Sequence, residues 1–314
     1  MRNYAIIFVM KKIFVIILLI LVALVFYDAK YIEPNSLVVK NETLNLPHWS
    51  KSLDGLRVGV VSDIHFGYGV MNLNKLKTIV DKVNDQSPDI IVLPGDFDAE
   101  AISASGVSLD DISDILSELK APLGVFAIKG NHDYEPKNVV YELLKKSNIK
   151  LLSDRSIYLI NGTLKLTGIQ DIWHYYLNTD VFYNDGVPTI LLSHNPDVLP
   201  KVPDYVSLTL SGHTHGGEVV FPIIGSLTVP SKYGQKYAKG YVVENGKPLY
   251  VTSGVGTLSG FRLCNSPEIV ILTLNSQTED NKIENTPTKG LINRSFHYEM
   301  RMLVDKFQSK KDKK

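Results

Sequence analysis

The sequence predicts an α/β domain in which two mixed β-sheets pack together between flanking helices, a four-layer αββα sandwich, behind an N-terminal membrane anchor helix. Three observations predict it. An apolar run opens the chain, strand-like and amphipathic helical segments alternate from residue 57 to about residue 150, and mostly strand-like segments follow up to residue 274. The first half is therefore βαβ-like and the second half β-rich, and two packed sheets with helices outside fit that order.

The anchor is predicted from IFVIILLILVALVFY at 13–27, an uninterrupted apolar or aromatic run. A membrane span needs about 20 residues, so this run suffices only if AIIFVM at 5–10 contributes and Lys11 and Lys12 extend toward the interface. A cleaved signal peptide that starts at Met10 is the alternative, but VFYDAKYIE offers no small-x-small cleavage site. An uncleaved signal anchor is therefore favoured, and the true start codon stays open.

The chain divides into four parts on composition: an anchor (1–28), a polar linker (29–55), a catalytic domain (56–275) and a polar tail (276–314). The tail ends in KFQSKKDKK, a basic block typical of a disordered or membrane-surface-seeking segment. Basic residues are more frequent before the apolar run than just after it, which favours an N-terminus inside the cytoplasm and a domain outside it.

Composition excludes several classes of function. The formal net charge is zero, with 33 basic and 33 acidic residues, so no nucleic-acid partner is expected. Cys264 is the single cysteine, which excludes a disulfide framework and a cysteine-rich zinc site. Eight histidines and many acids leave open a metal site built from nitrogen and oxygen ligands.

The elements follow from hydrophobic periodicity, with period two or continuous apolar runs for strands and one apolar face for helices. The first half has predicted strands at 57–66, 89–97 and 124–133 and helices at 72–86, 109–119 and 138–147. The second half has predicted strands at 157–160, 164–169, 189–193, 206–210, 218–221, 240–243, 248–252 and 268–274.

Five predicted strands end in residues that can bind a metal. In order along the chain these residues are Asp63 and His65, Asp96, Asn131 and His132, His194, and His213 and His215. Each alone has an ordinary explanation as a turn residue or a buried histidine. Functional groups of α/β proteins collect at the carboxyl ends of strands, so the series as a whole indicates one site.

The residue types indicate a pair of divalent cations. Asp63 and His65 are two residues apart, so on an extended chain they would face the same way and share one ion. The carboxylate of Asp96 has two oxygens and can bridge two ions. Nitrogen and oxygen ligands without sulfur suit Mn²⁺, Fe or Zn²⁺ rather than Ca²⁺. Two such ions about 3.5–4 Å apart can clamp a phosphoryl group and activate water for in-line attack.

The series D-x-H, G-D, G-N-H-D, H and G-H-x-H, in this order over residues 56–274, resembles the calcineurin-like metallophosphoesterase superfamily. The resemblance implies two divalent metal ions, with Mn²⁺ the first choice and Fe or Zn²⁺ the alternatives. It implies that His132 is not a ligand but contacts the phosphate and assists the leaving group. The implied ligands are Asp63, His65 and His215 for the first metal, Asp96 as the bridge, and Asn131, His194 and His213 for the second.

One motif departs from the family pattern. The family usually reads G-D-x-x-D, whereas this chain has GDFDAE at 95–100, with Ala99 in the place of the second acid. Asp98 or Glu100 is left to supply that acid. Such an acid usually contacts a metal ligand rather than the metal itself. The departure is therefore expected to tune metal affinity rather than to abolish activity.

The stretches 212–240 and 249–274 resemble a bacterial membrane-anchored branch that contains UDP-2,3-diacylglucosamine pyrophosphatases of lipid A synthesis and other envelope phosphodiesterases. This resemblance implies a lipid or nucleotide-lipid phosphoester substrate, and a single-pass or monotopic protein of the bacterial inner membrane. Within it, Arg262 is a candidate phosphate contact, because arginine pairs with phosphate oxygens through two donors. Asp171, Trp173 and His174 in DIWHYY are a candidate wall of the substrate site. No protein partner is predicted.

Three functions stay open. The first is hydrolysis of UDP-2,3-diacylglucosamine to UMP and a lipid phosphate. That substrate is made on the cytoplasmic side, whereas the charge bias favours a domain outside the cytoplasm. The second function is therefore that of an envelope phosphodiesterase acting on cell-wall or phospholipid diesters. The third is a non-catalytic membrane-anchored binding module, which the presence of every implied ligand and of His132 disfavours.

Overall fold

A computed structural model describes residues 2–282 and 285–286. The helices are α1 (Arg2–Tyr27), α2 (Leu73–Asp85), α3 (Ala99–Ala104), α4 (Leu109–Ser117) and α5 (Val139–Lys146). The strands are β1 (Val38–Leu46), β2 (Leu56–Val60), β3 (Ile90–Leu93), β4 (Val125–Ala127), β5 (Lys150–Leu151), β6 (Arg155–Leu159), β7 (Leu164–Gly168), β8 (Thr189–Leu192), β9 (Leu208–Ser211), β10 (Val220–Phe221), β11 (Gly225–Ser226), β12 (Gly240–Glu244), β13 (Lys247–Val251) and β14 (Glu268–Ser276).

Two six-stranded sheets form the centre of the domain. The first has the order β1-β14-β2-β3-β4-β5 and the second the order β12-β13-β9-β8-β7-β6. Strands β2, β3 and β4 run parallel, as do β7, β8 and β9, whereas β14–β2, β12–β13 and β6–β7 are antiparallel. Both sheets are therefore mixed, and the predicted α/β architecture is confirmed.

Alternation along the strands explains the layers. Val58 and Val60 of β2 pack with Ile190 and Leu192 of β8 in one buried cluster between the sheets. The outer face of the first sheet is covered by α2 to α5, whose buried apolar side chains recur at helical spacing. The second sheet is covered by short 3₁₀ helices, chiefly Pro196–Lys201, and by loops.

The N-terminal helix α1 is long and apolar enough to cross a membrane. Within the segment Ile6–Asn35, an 18-residue stretch has a mean hydropathy of 2.9 and contains no buried residue. After α1 the chain continues through a π-helical turn, Asp28–Ile32, and a 3₁₀ turn, Glu33–Asn35, into β1. An apolar helix whose side chains stay exposed along most of its length needs another apolar medium, and the hydrocarbon core of a bilayer provides one.

The prediction of a polar linker over 29–55 is wrong for residues 38–46. These residues form β1, which pairs in parallel with β14 along its whole length. Only Leu44 and Leu46 of β1 are buried, while its first six residues are exposed or half-buried. An edge strand with so little burial carries a weak apolar pattern, which is why the sequence read as a linker.

The predicted tail also begins inside the fold. Strand β14 extends to Ser276. Residues 285–286 lie against β12, where the Thr286 N–H donates to the Val243 carbonyl at 2.8 Å and the Val243 N–H donates to Thr286 Oγ1 at 2.9 Å. The basic block predicted to be disordered lies outside the described residues.

Removing β1 is expected to destabilise the domain. A fragment that begins at Ser50 loses the burial of Leu44 and Leu46, each worth about 1.5–3 kcal/mol, and exposes β14 as a bare edge. We expect its free energy of unfolding in urea to fall by at least about 3 kcal/mol relative to a fragment that begins at Asp28. Equal stability of the two fragments would show that β1 is dispensable, as a linker would be.

Candidate metal centre

The candidate site lies where both sheets end at a common edge. A hydrogen bond joins the two sheets there: the His213 N–H, just after β9, donates to Asp63 Oδ1, just after β2, at 2.8 Å. The segments that follow β2, β3, β4, β8 and β9 carry the residues predicted from the sequence, namely Asp63, His65, Asp96, Asn131, His132, His194, His213 and His215.

The backbone at this edge is strained. Asp63 and His65 have φ values of 55° and 43°, so the expectation that they face the same way along an extended chain is wrong, although both side chains do reach the same cluster. A left-handed conformation costs a non-glycine residue roughly 1–3 kcal/mol and is concentrated at functional sites. The other predicted ligands in this conformation are Asp96, His213 and His215, with φ values of 59°, 71° and 51°.

Two glycines allow the close approach of backbone and carboxylates. A Cβ on Gly212 would lie 2.3 Å from Asp63 Oδ2, and one on Gly130 would lie 2.1 Å from Asp96 Oδ1. Any side chain at either position would displace a carboxylate. The glycines of the G-H-x-H and G-N-H-D motifs are therefore required by the packing of the site itself.

Ligand-type atoms converge in two clusters that share one carboxylate. In each cluster the atoms lie within 4.8 Å of one another, and all of the residues are buried. The first cluster comprises Asp63, His65, Asp96 and His215, and the second comprises Asp96, His194 and His213.

Short distances link the four side chains of the first cluster. His65 Nε2 and His215 Nε2 are 3.2 Å apart. Asp63 Oδ1 lies 3.6 Å from His215 Nε2, and Asp96 Oδ2 lies 3.4 Å from His65 Nε2. Two imidazole nitrogens facing each other beside two carboxylates form a donor set suited to a divalent cation.

The second cluster is built around His194. Its Nε2 lies 3.1 Å from Asp96 Oδ2, 3.2 Å from His213 Nδ1 and 3.1 Å from Asn131 Oδ1. The amide oxygen of Asn131 thus joins the imidazoles and the shared carboxylate, as the family resemblance implied. The edge of the Trp173 ring approaches His213, with ring centroids 4.2 Å apart, so the predicted wall residue does border this cluster.

The charges balance in pairs. Burial alone would lower the pKa of His65, but hydrogen bonds with Asp96 and Asp98 raise it to about 10. Burial likewise opposes the charge on His194, whereas the charge of Asp96 raises its pKa to about 10. Burial opposes ionisation of Asp96 as well, but the charges on His194 and His65 hold its pKa well below the usual range. Protons on two imidazoles thus offset the carboxylates, in positions that divalent cations can take over.

The other two imidazoles of the site, those of His213 and His215, resist protonation. Burial and the neighbouring His194 lower the pKa of His213 to about 3, and burial with the charge on His65 lowers the pKa of His215. Among the described residues, Asp63 Oδ2, His213 Nε2 and His215 Nδ1 are buried without a hydrogen-bond partner. Buried polar atoms are rarely left unpaired. Neutral imidazoles and an unpaired carboxylate oxygen therefore fit a metal centre.

Further contacts orient the ligands. His65 Nδ1 lies 2.9 Å from Asp98 Oδ2, and His194 Nδ1 lies 2.8 Å from the Pro94 carbonyl. Such contacts fix the tautomer and leave Nε2 for a metal. The sequence left Asp98 and Glu100 as alternatives to the missing second acid of G-D-x-x-D, and Asp98 is the one that contacts a ligand.

Asp133 was not singled out from the sequence, yet it shapes the loop of Asp96. Its Oδ2 accepts hydrogen bonds from the N–H groups of Gly130 and Asp96, both at 2.8 Å. Its Oδ1 accepts from the N–H groups of Phe97 and Asp98, at 2.8 and 2.9 Å. The final acid of G-N-H-D therefore holds two strand ends together, and its position after Asn131 and His132 was the available signal.

Replacing Asp133 with alanine is expected to lower the free energy of unfolding by about 3–5 kcal/mol, because four buried N–H groups lose their acceptor. Asp133→Asn keeps one acceptor oxygen for part of these N–H groups. Its free energy of unfolding should therefore lie between those of the wild type and of Asp133→Ala. Urea titrations of the metal-free protein measure this directly. An Asp133→Ala variant as stable as wild type would mean that the loop is held by other contacts.

His132 lies at the mouth of the site rather than among the ligands. Its side chain is 39% exposed, and its Nδ1 lies 4.0 Å from Asp98 Oδ2. Its ring approaches His65 edge-on, with centroids 5.2 Å apart, and its N–H donates to Asp96 Oδ1 at 2.9 Å. The backbone thus fixes His132 against the shared carboxylate while the imidazole faces solvent.

The structure contradicts the prediction that Arg262 contacts phosphate. Its side chain is fully buried, and it donates to the backbone carbonyls of Ser253, Gly254, Gly256 and Asn265. A guanidinium whose donors all meet carbonyls has no face left for a phosphate. Arg262 instead organises the loop after β13.

Comparison with known proteins identifies the class. The profile of the family described as calcineurin-like phosphoesterase matches residues 56–217. The chain therefore belongs to the calcineurin-like metallophosphoesterase family and is a phosphoester hydrolase by class. Members of this family use a dinuclear metal site, and the two ligand clusters that share Asp96 correspond to one.

Individual relatives extend the similarity over most of the chain. It is 31% identical over 261 residues to the uncharacterized metallophosphoesterase YkuE of Bacillus subtilis, covering 79% of this chain and 89% of that protein. It is 28% identical over 306 residues to the UDP-2,3-diacylglucosamine pyrophosphatase LpxG of Chlamydia trachomatis, covering 78% of this chain and 91% of that protein. It is 30% identical over 221 residues to the phosphodiesterase YaeI of Escherichia coli, covering 68% and 80%.

Proposed function

We propose that this protein is a membrane-anchored, dinuclear metal-dependent hydrolase that cleaves a phosphodiester or pyrophosphate bond in a membrane-associated substrate. The observation that carries the proposal is the pair of buried ligand clusters joined by Asp96. An apolar N-terminal helix that the domain leaves uncovered supports the membrane part of it.

Each residue has a role in the proposed site. Two bound divalent cations, Mn²⁺ first and Fe or Zn²⁺ as alternatives, would polarise the phosphoryl oxygens and lower the pKa of water. The proposed ligands of the first are Asp63, His65 and His215, those of the second are Asn131, His194 and His213, and Asp96 is shared by both.

His132 is proposed as the catalytic residue that touches the substrate. Its half-exposed imidazole lies next to the ring of His65 at the mouth of the site, where it can donate a hydrogen bond to a phosphoryl oxygen or a proton to the leaving oxygen. Proton transfer by a positioned side chain contributes typically 10²–10⁴-fold to a rate.

UDP-2,3-diacylglucosamine is the proposed substrate, cleaved to UMP and a lipid phosphate as in lipid A synthesis. The relative named LpxG, similar over most of both chains, supports this choice. The domain would then face the cytoplasm of a bacterial inner membrane, with α1 as a single span or a monotopic anchor. The basic end of the sequence would suit anionic lipids on that face.

An envelope phosphodiesterase is the second candidate. It is favoured by the excess of basic residues before the apolar run, which favours a domain outside the cytoplasm. The relative YaeI is named a phosphodiesterase without a stated substrate. Cell-wall and phospholipid diesters are the substrates expected on that side.

The full-length protein in lipid nanodiscs, loaded with Mn²⁺, tests the proposal. UMP release from UDP-2,3-diacylglucosamine that EDTA abolishes would support the first candidate. Cleavage of bis-p-nitrophenyl phosphate without UMP release would support the second. Cleavage of neither, by protein that retains its metal, would overturn the enzymatic proposal in favour of a binding module.

A further inference from the structure

An apolar groove opens directly beside the metal centre. It has a volume of about 590 Å³, within the range of sites that hold small ligands. His215, a proposed metal ligand, lies at its inner end, and the loop with Leu258 and Ser259 forms one wall. The other apolar side chains that line it are Val219, Phe221, Leu227 and Pro230.

The wall formed by the loop 257–266 is attached to the end of the anchor helix. The rings of Phe26 and Phe261 have centroids 5.3 Å apart, and Lys30 Nζ lies 4.4 Å from the centroid of Phe261. The Arg262 N–H donates to the Ala29 carbonyl at 2.9 Å.

The polar turn after the helix holds the same loop. Glu33 Oε1 accepts hydrogen bonds from the Asn265 N–H at 3.1 Å and from Ser266 Oγ at 2.6 Å. Phe26 belongs to the last turn of α1, so a bilayer around α1 would have its boundary at the level of this loop.

The rim of the groove is unusually apolar for a protein surface. Ile223 at the tip of the β10–β11 hairpin is 85% exposed, and Ile224 is 42% exposed. Phe221, Leu227 and Leu258 are each about two-fifths to one-half exposed. Exposed apolar side chains mark an interaction surface. Strand β10, which carries Phe221, is held to the anchored loop by a hydrogen bond from the Val220 N–H to the Leu263 carbonyl at 2.9 Å.

Glu218 connects the groove to the metal centre. Its carboxylate accepts hydrogen bonds from Thr257 Oγ1 and from the N–H groups of Leu258 and Ser259, at 2.7, 2.7 and 3.2 Å. Glu218 Oε1, which accepts the bonds from Thr257 and Leu258, also lies 3.6 Å from His215 Nδ1. One side chain therefore sets the position of the groove wall relative to a proposed ligand.

We propose that this groove binds an acyl chain of the lipid whose phosphoester is hydrolysed, so that the substrate enters from the bilayer rather than from water. The inference rests on the proposed function for the identity of the phosphoester, but the acyl-chain site itself follows from the groove, its rim and the anchor. A lipid tail in the groove would leave its polar head beside His215.

Photolabelling tests the site without requiring catalysis. The full-length protein is placed in phosphatidylethanolamine and phosphatidylglycerol vesicles that contain a phospholipid with a diazirine on one acyl chain. We expect labels on the groove side chains Phe221, Leu227 and Leu258 in addition to α1. Labels confined to α1, or to the hairpin tip at Ile223 and Ile224, would overturn the proposal.

Chain-length dependence tests the same site during turnover. With monomeric alkyl phosphodiesters of four to eight carbons, kcat/KM should rise about threefold to fourfold per methylene, the equivalent of about 0.8 kcal/mol for each buried CH₂. Leu258→Asn should flatten this slope, whereas Tyr141→Asn, a matched change of an exposed residue on α5, should keep it.

The two proposals fail in different ways. A flat chain-length series in the wild type, with an aryl phosphodiester still cleaved, would overturn the acyl-chain site and leave the hydrolase intact. If no phosphodiester of any kind is cleaved, the proposed function fails, and photolabelling alone decides whether the groove holds an acyl chain.

Discussion

Asp96→Ala is expected to lower kcat/KM for any phosphodiester by at least about a thousandfold, because this one carboxylate belongs to both clusters. A water molecule that fills the space left by the side chain would not supply the missing negative charge. Asp96 Oδ2 lies within 3.4 Å of the ligand nitrogens of His65 and His194. Steady-state kinetics and the metal content of the same samples measure the effect, and both metals should be depleted.

The control for Asp96 is a conservative change of a remote acid. Asp204 is highly exposed and pairs only with the surface Lys247 among the described contacts. Asp204→Asn should retain wild-type rate and metal content. Asp96→Asn keeps the shape of the side chain and one acceptor oxygen, so it separates loss of charge from loss of packing. Wild-type activity in Asp96→Ala would contradict a shared carboxylate.

His132→Asn is expected to lower kcat by about 10²–10³-fold while metal content stays at the wild-type level. The reason is its place at the mouth of the site, where it contacts the shared carboxylate through its backbone and leaves its imidazole exposed. The loss should be larger for an alkoxide leaving group, which needs a proton, than for p-nitrophenolate, which does not. Kinetics with matched alkyl and aryl diesters measures the difference.

A suitable control for His132 is His48→Asn. His48 is exposed, lies outside the site and has a φ of 53°, which asparagine tolerates well. Depletion of metal in His132→Asn would instead make His132 a ligand. An equal loss of rate with both leaving groups would remove its role in proton transfer.

The position of the candidate metal site was predictable because its residues follow strand ends. The apolar runs at β2, β3, β4, β8 and β9 are recognisable, and the order of the sheets brings their carboxyl ends to one edge. The left-handed backbone at Asp63 and His65 was not predictable from that rule, since glycine-free segments normally avoid such conformations. Those conformations became visible only in the folded structure.

Residues that act through backbone contacts were the least predictable. A buried Arg262 with carbonyl partners has the same one-letter signature as a surface arginine or a phosphate ligand. The carboxylates of Asp133 and Glu218 accept hydrogen bonds from the N–H groups of segments that approach them only in the folded protein. Strand β1 escaped notice because its pairing partner, β14, lies more than 200 residues further along the chain.

Anomalous X-ray diffraction from crystals of the Mn²⁺-loaded protein would test the dinuclear centre most directly. We predict two peaks about 3.5–4 Å apart, both in contact with Asp96. One peak should be bound by Asp63, His65 and His215, and the other by Asn131, His194 and His213. The absence of manganese from these two clusters, or a single ion that leaves one cluster empty at saturating metal, would contradict a dinuclear centre that shares Asp96.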